Sequence, residues 1–217
     1  MSVATSATPA APRGWLDRAL APFAEVRGGE GATALLLMLN VFLLLGAYYL
    51  LKTVREPLIL AGGGAEVKSY AAAGQAVLLL VLVPLYGQFA SRVSRLRLIT
   101  WVTVFFIANL VVFYLLAAQQ VPFLGVAFFL WVGIFNLLVI AQFWAFANDV
   151  YSPEQGQRLF AIVAFGASSG AVAGSWAAGM LIPRLGVYPL MLVAACVLAL
   201  CIGLTVMVEA RESRHRV

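Results

Sequence analysis

Three charged residues stand together at the end of an apolar run, in the string Leu50-Leu51-Lys52-Thr53-Val54-Arg55-Glu56-Pro57. Lys52, Arg55 and Glu56 are spaced i, i+3 and i+4, so on a helix they share one face. Two cations beside one carboxylate leave a net positive patch, and a guanidinium can hold a phosphate or carboxylate through two parallel hydrogen bonds. The chemistry this spacing allows is binding of an anion. Catalytic chemistry lacks its residues. The single histidine, His215, lies in the last three positions, which removes histidine-based metal sites and triads. Cys196 and Cys201 lie five apart in an apolar run, neither a CxxC pair nor a spacing that closes a disulfide within one helix. No acid–base pair, metal cluster or nucleophile–base combination lies within the apolar runs, so no enzyme, metal or cofactor is expected.

The elements that must position these charges belong to a bilayer. The 217 residues are 63% apolar and 11% charged, with a mean hydropathy of +0.97. A soluble domain is about 45–50% apolar and about 25% charged. A hydrocarbon core about 30 Å thick needs roughly 20 apolar residues as a helix. Runs of that length occur at Ala32–Leu51 (with a possible continuation to Leu60), Tyr70–Ala90, Leu98–Ala118, Pro122–Ala147, Leu159–Ile182 and Tyr188–Val208. They are apolar all round and do not alternate as barrel strands do. The expected fold is an all-α integral membrane protein with six transmembrane helices. Residues 1–30 form an N-terminal arm, 31–208 the six-helix domain and 209–217 a tail.

Basic residues are shared unequally between the two ends of such a bundle. One end holds Arg13, Arg18, Arg27, Arg92, Arg95, Arg97, Arg158, Arg211, Arg214 and Arg216; the other holds Lys52, Arg55, Lys68 and Arg184. The positive-inside bias places both termini in the cytoplasm, with the chain in the cell (inner) membrane. The formal charge of +5 suits loops facing an anionic leaflet and calls for no nucleic acid. No long apolar core precedes residue 32, so the first span reads as an uncleaved anchor. In the arm, Trp15, Leu16, Ala19, Leu20 and Phe23 fall on one helical face, which suits a short surface helix; a disordered tail is the alternative.

Two readings of the first-span charges stay open. If the helix continues to Leu60 it is about 43 Å long, and Lys52, Arg55 and Glu56 project from its outer third. If it ends near Leu51, Pro57 terminates it and the charges snorkel into headgroups. Lys68 is expected in the connecting loop and to matter little.

Further signals lie downstream. A basic turn, Gly87-Gln88-Phe89-Ala90-Ser91-Arg92-Val93-Ser94-Arg95-Leu96-Arg97, joins the second and third spans. Ser152, Pro153 and Gln155 read as a capping-box start for the fifth helix. That helix carries Gly166, Gly170 and Gly174 at intervals of four, with Ala178 in register, a strip that lets another backbone approach. The amides Gln75, Asn109, Asn136 and Gln142 sit inside spans. They suit interhelical hydrogen bonds, or a cavity lining in the case of one or two such as Asn136.

The basic turn, written G-x-x-x-S-R-x-S-R-x-R, resembles the loop of the major facilitator superfamily, with Ser91 in place of its acid and Ser94 in place of its second glycine. The strings YYLLKTVREPLIL and FWAFANDVYSPEQGQRLFAIVAFGASSGAVAGS resemble the nucleotide exchange carriers, the ATP/ADP translocases of plastids and intracellular bacteria with their bacterial relatives. The correspondence runs from about residue 31 across nearly the whole chain. It implies a major-facilitator-like fold and alternating access. It implies phosphate binding at Arg55 with Lys52 beside it; if the first helix continues through Pro57, Glu56 is expected to restrain both between substrate encounters. A conformational role falls to Arg92, Arg95 and Arg97 in the turn, and to Asn148, Asp149 and Arg158 around the fourth-to-fifth connection. The carriers use an acidic residue in the fourth span, whereas none lies between Phe123 and Ala147 and Val132 stands near that place. The substrate expected is therefore a small organic anion, a nucleotide among the candidates. The carriers have about twelve spans, so six imply one half, itself two inverted sets of three. A second half would come from another copy, a separate chain or a longer product. The competing expectation is a non-transporting membrane scaffold or regulatory subunit.

Overall fold

The structure is a computed structural model that describes residues 24–27 and 29–215; the arm residues Trp15–Phe23, Arg13, Arg18 and Arg216 lie outside the described residues. Among the described residues there are six helices and no strand: α1 Glu30–Ala61, α2 Gly64–Ala90, α3 Arg95–Ala118, α4 Leu124–Val150, α5 Pro153–Leu185 and α6 Leu190–His215. All six are long and apolar enough to cross a membrane. The architecture is that of a multi-pass helical membrane protein.

Local chemistry explains the boundaries. At the start of α5 the Ser152 hydroxyl accepts from the Gln155 amide, the Gln155 side chain accepts from the Ser152 amide, and Pro153 takes the first position, where its missing N–H costs nothing. The α1–α2 turn uses Gly64 at φ 74, a left-handed backbone that glycine enters without a Cβ clash. α1 does not stop at its charges. It runs 32 residues with Pro57 inside it, about 48 Å at 1.5 Å per residue, so of the two readings the continuing helix is the one observed. α2 begins at Gly64, which puts Lys68 inside a helix and not in a loop. α6 likewise carries the sequence from residue 209 onward as helix as far as His215.

α1 is the central element, packed on α5, α6 and α4. Its contact with α5 is parallel and regular. Gly166 lies against Met38, Gly170 against Phe42 and Gly174 against Gly46. A Cβ at Gly166 would fall 2.5 Å from the Met38 carbonyl oxygen, and one at Gly174 2.5 Å from that of Gly46. One at Gly170 would overlap the Phe42 backbone. Without a hydrophobic force between helices in lipid, such close backbone approach supplies the dispersion contacts that hold them. The strip at Gly166, Gly170, Gly174 and Ala178 is buried within the chain's own bundle.

α4 crosses α1 antiparallel: Gly125 meets Leu58, and Phe135 stacks on Tyr48 at 6.5 Å. On the other side of α4, Trp131 is stacked between Phe128 and Phe135 at 5.7 and 5.8 Å, with Phe106 and Phe113 of α3 edge-on to it. α3 and α6 pack together. α2 differs from all the others. Only Ala71 of its 27 residues is buried, and it leans on α4 and α1 alone among the more extensive contacts.

Candidate functional site

Arg55 is placed by the continuation of α1 past the end of the apolar run. Its side chain is only 15% exposed. The guanidinium lies over the Phe129 ring of α4, with its carbon 4.6 Å from the centroid, and Nη2 donates to the Glu56 carboxylate at 2.8 Å. The Arg55 Nε is buried with no hydrogen-bond partner. Glu56 is shared: its other oxygen accepts from Lys68 Nζ of α2 at 2.5 Å. One carboxylate thus bridges two cations from two helices. This overturns the expectation that Lys68 stands apart. Lys52 does not enter the cluster by an ion pair; its ammonium lies 5.1 Å from the centre of the Tyr49 ring one turn back. Asn136 is half-buried on α4, seven residues and so about 10.5 Å along the helix from Phe129, on nearly the same stripe.

The arrangement can do one thing well. Two cations held by a single internal carboxylate form a site from which an incoming anion can displace that carboxylate. Of the three side chains Arg55 is the most enclosed, at 15% exposed, while Glu56 and Lys68 are 36% and 39% exposed. An aromatic face under the guanidinium adds to this without neutralising the charge.

The opposite end, where α1 begins and α6 finishes, holds a second cluster that spacing did not reveal. Glu30 accepts from both terminal nitrogens of Arg158, at 3.0 and 3.1 Å, from Gln155 at 3.1 Å and from the Arg27 amide at 3.0 Å. Arg158 also donates to the Glu25 carbonyl. Thr33 donates to Glu212 at 2.7 Å, and Arg211 reaches the Gly29 carbonyl at 3.2 Å. The starts of α1 and α5 and the end of α6 are thereby tied together. Beside them Tyr151, in the α4–α5 connection, buries a hydroxyl with no partner, and burial together with the Glu212 and Glu30 charges pushes its phenol well above the ordinary range.

At the same end Arg95 donates to Asp149 at 2.7 Å, joining the start of α3 to the end of α4. Arg92, Arg97 and Asn148 are exposed. The span amides mostly turn to neighbouring helices or to their own backbone: Gln142 donates to Tyr86 of α2, Asn109 bonds the Phe105 carbonyl, and Gln75 packs against Gly133. Among the described residues no group of His, Cys, Asp and Glu could hold a metal.

Fold and site define a multi-pass helical membrane protein with an ion cluster near one end of the bundle and a charged clasp at the other. Comparison with protein-family models, with curated proteins and with solved structures finds no match.

Proposed function

We propose that the chain is one half of a major-facilitator-type transporter, moving a small organic anion by alternating access, with nucleotides among the substrates to be tested. The observation that carries this reading is Arg55: a cation 15% exposed within a membrane-crossing helix, with Nε unpartnered and its charge shared through Glu56 with Lys68. Ionisable groups within spanning segments are expensive and mark substrate or ion pathways.

Helix order supports the same reading. The six most extensive pairings are α1–α5, α1–α6, α1–α4, α3–α6, α3–α4 and α2–α4. Exchanging α1 with α4, α2 with α5 and α3 with α6 leaves α1–α4 and α3–α6 unchanged and swaps the other four within the set, the pattern expected of two inverted repeats of three helices. α1–α5 and α2–α4 are both parallel pairs, in keeping with that exchange. The Arg95–Asp149 bridge is the kind of contact by which a facilitator loop clasps neighbouring helix ends. In this reading the end with Arg92, Arg95 and Arg97 is cytoplasmic, the membrane is the inner membrane, and a second six-helix half completes the cavity.

A scaffold would use the same charges only to fasten α1 to α2. Substrate-dependent thermal stabilisation separates the two, because a ligand that binds the folded state raises its melting temperature. Purified protein in mild detergent is heated with inorganic phosphate, nucleoside di- and triphosphates and dicarboxylates in turn. At least one of these anions should stabilise the wild type. Arg55→Lys should weaken the effect by losing the two-bond fork, Arg55→Ala should abolish it, and Lys68→Ala should weaken it because Lys68 holds half of Glu56. Full stabilisation in Arg55→Ala, or none by any anion in the wild type, would overturn the proposal.

A further inference from the structure

Four polar side chains converge at one level inside the bundle. Asn40 of α1, Thr103 of α3, Gln142 of α4 and Thr205 of α6 are each 5% exposed or less. They stand eight to ten residues from the ends of their helices at the basic side, about 12–15 Å deep. Asn40 donates to the Thr205 hydroxyl at 2.9 Å, and Thr205 donates to the Cys201 carbonyl at 2.9 Å. Gln142 uses its amide nitrogen on Tyr86, while its Oε1 is buried with no partner. Between these groups lies a cavity of about 20 Å³, lined by Asn40, Thr103, Gln142, Cys201 and Thr205 among apolar neighbours.

We propose that this cavity is a binding site for one water molecule, which donates to Gln142 Oε1 and joins the α1–α6 pair to α3 and α4. The room suffices, since a water needs at least about 10–15 Å³ measured in this way and two to four polar partners. A truly empty cavity is apolar, and this one is not. The competing occupant of similar size is a monovalent cation. No carboxylate lines the wall, so a cation would be buried without a counter-charge. An uncharged guest fits the uncharged wall. A water there also satisfies the Gln142 amide oxygen, which the helix contacts leave unmet inside an apolar bundle where such a group is costly.

The cavity brings its own reporter. Hydroxyl radicals made from bound water by an X-ray pulse oxidise the side chains they touch, and the Cys201 thiol lines the wall although it is buried. Met191, on the same helix and fully buried, serves as the dry control. Wild-type protein in lipid nanodiscs is irradiated and its peptides are analysed by mass spectrometry. Cys201 should be oxidised at least tenfold faster than Met191. Thr103→Val, which keeps the shape of the wall and removes a hydroxyl, should slow Cys201 oxidation about fivefold; Gln142→Leu should do the same in a folded sample. Replacing sodium and potassium by choline should leave the melting temperature unchanged. Equal oxidation of Cys201 in wild type and Thr103→Val, a Cys201 rate no greater than that of Met191, or a melting temperature that falls in choline would each overturn the proposal.

Discussion

The Arg158 guanidinium meets the Glu30 carboxylate edge to edge, with Nη2 3.0 Å from Oε1 and Nη1 3.1 Å from Oε2. Both side chains are 15% exposed. This fork locks the second turn of α5 onto the first turn of α1 at the same end as the Arg211 and Glu212 contacts of α6. Arg158→Ala should destabilise the protein by about 2 kcal/mol, the usual weight of hydrogen bonds to a charged group. Arg158→Lys should recover only part of this because one ammonium cannot make both bonds. Thermal unfolding in detergent measures both, and a melting temperature in Arg158→Ala equal to that of the wild type would refute the clasp.

The α1–α5 contact is tight in one direction only. A Cβ at Gly174 would fall 2.5 Å from the Gly46 carbonyl oxygen, yet a Cβ at Gly46 would sit 3.6 Å from the Gly170 carbonyl, an ordinary contact. Gly174→Ala should therefore destabilise by about 1–3 kcal/mol, as overpacking does. Gly46→Ala should be tolerated, and so should Gly179→Ala, which meets open space on the same helix as Gly174. Equal losses for Gly46→Ala and Gly174→Ala would contradict the packing described.

Much of this architecture is legible in the sequence because composition and period carry it. Spans such as Leu98–Ala118 announce themselves by length, and the Gly166, Gly170 and Gly174 strip by a period of four. The capping box at Ser152 is legible for the same local reason. What is not legible depends on contacts between distant residues. Arg158 and Glu30 are 128 positions apart, and neither spacing nor charge pattern pairs them. Lys68 follows three consecutive glycines and a glutamate, which reads as loop, yet the helix starts at the last of those glycines and carries Lys68 back to Glu56. Pro57 misleads in the same manner: it reads equally well as a stop, whereas α1 passes through it. Lys52 shares a helical face with Arg55, but its preference for the Tyr49 ring is a matter of rotamer.

Orientation follows from charge. The end carrying Arg27, Arg92, Arg95, Arg97, Arg158, Arg211 and Arg214 is the more basic among the described residues, so it should face the cytoplasm. With Cys196 and Cys201 replaced, a single cysteine at position 94 should resist a membrane-impermeant thiol reagent in intact cells and react after permeabilisation. A cysteine at position 65, exposed at the other end, should react in intact cells. The reverse pattern would invert the topology.

The central claim is that Arg55 binds a transported anion, and uptake into vesicles tests it most directly. Protein reconstituted into liposomes preloaded with an unlabelled anion is given the same anion labelled outside, using whichever one stabilises the purified protein. Wild type should accumulate label well above empty liposomes, Arg55→Ala should fall to the liposome background, and Arg55→Lys should lie between them. Accumulation by Arg55→Ala at the wild-type rate, or none by the folded wild type together with its second half, would contradict the account.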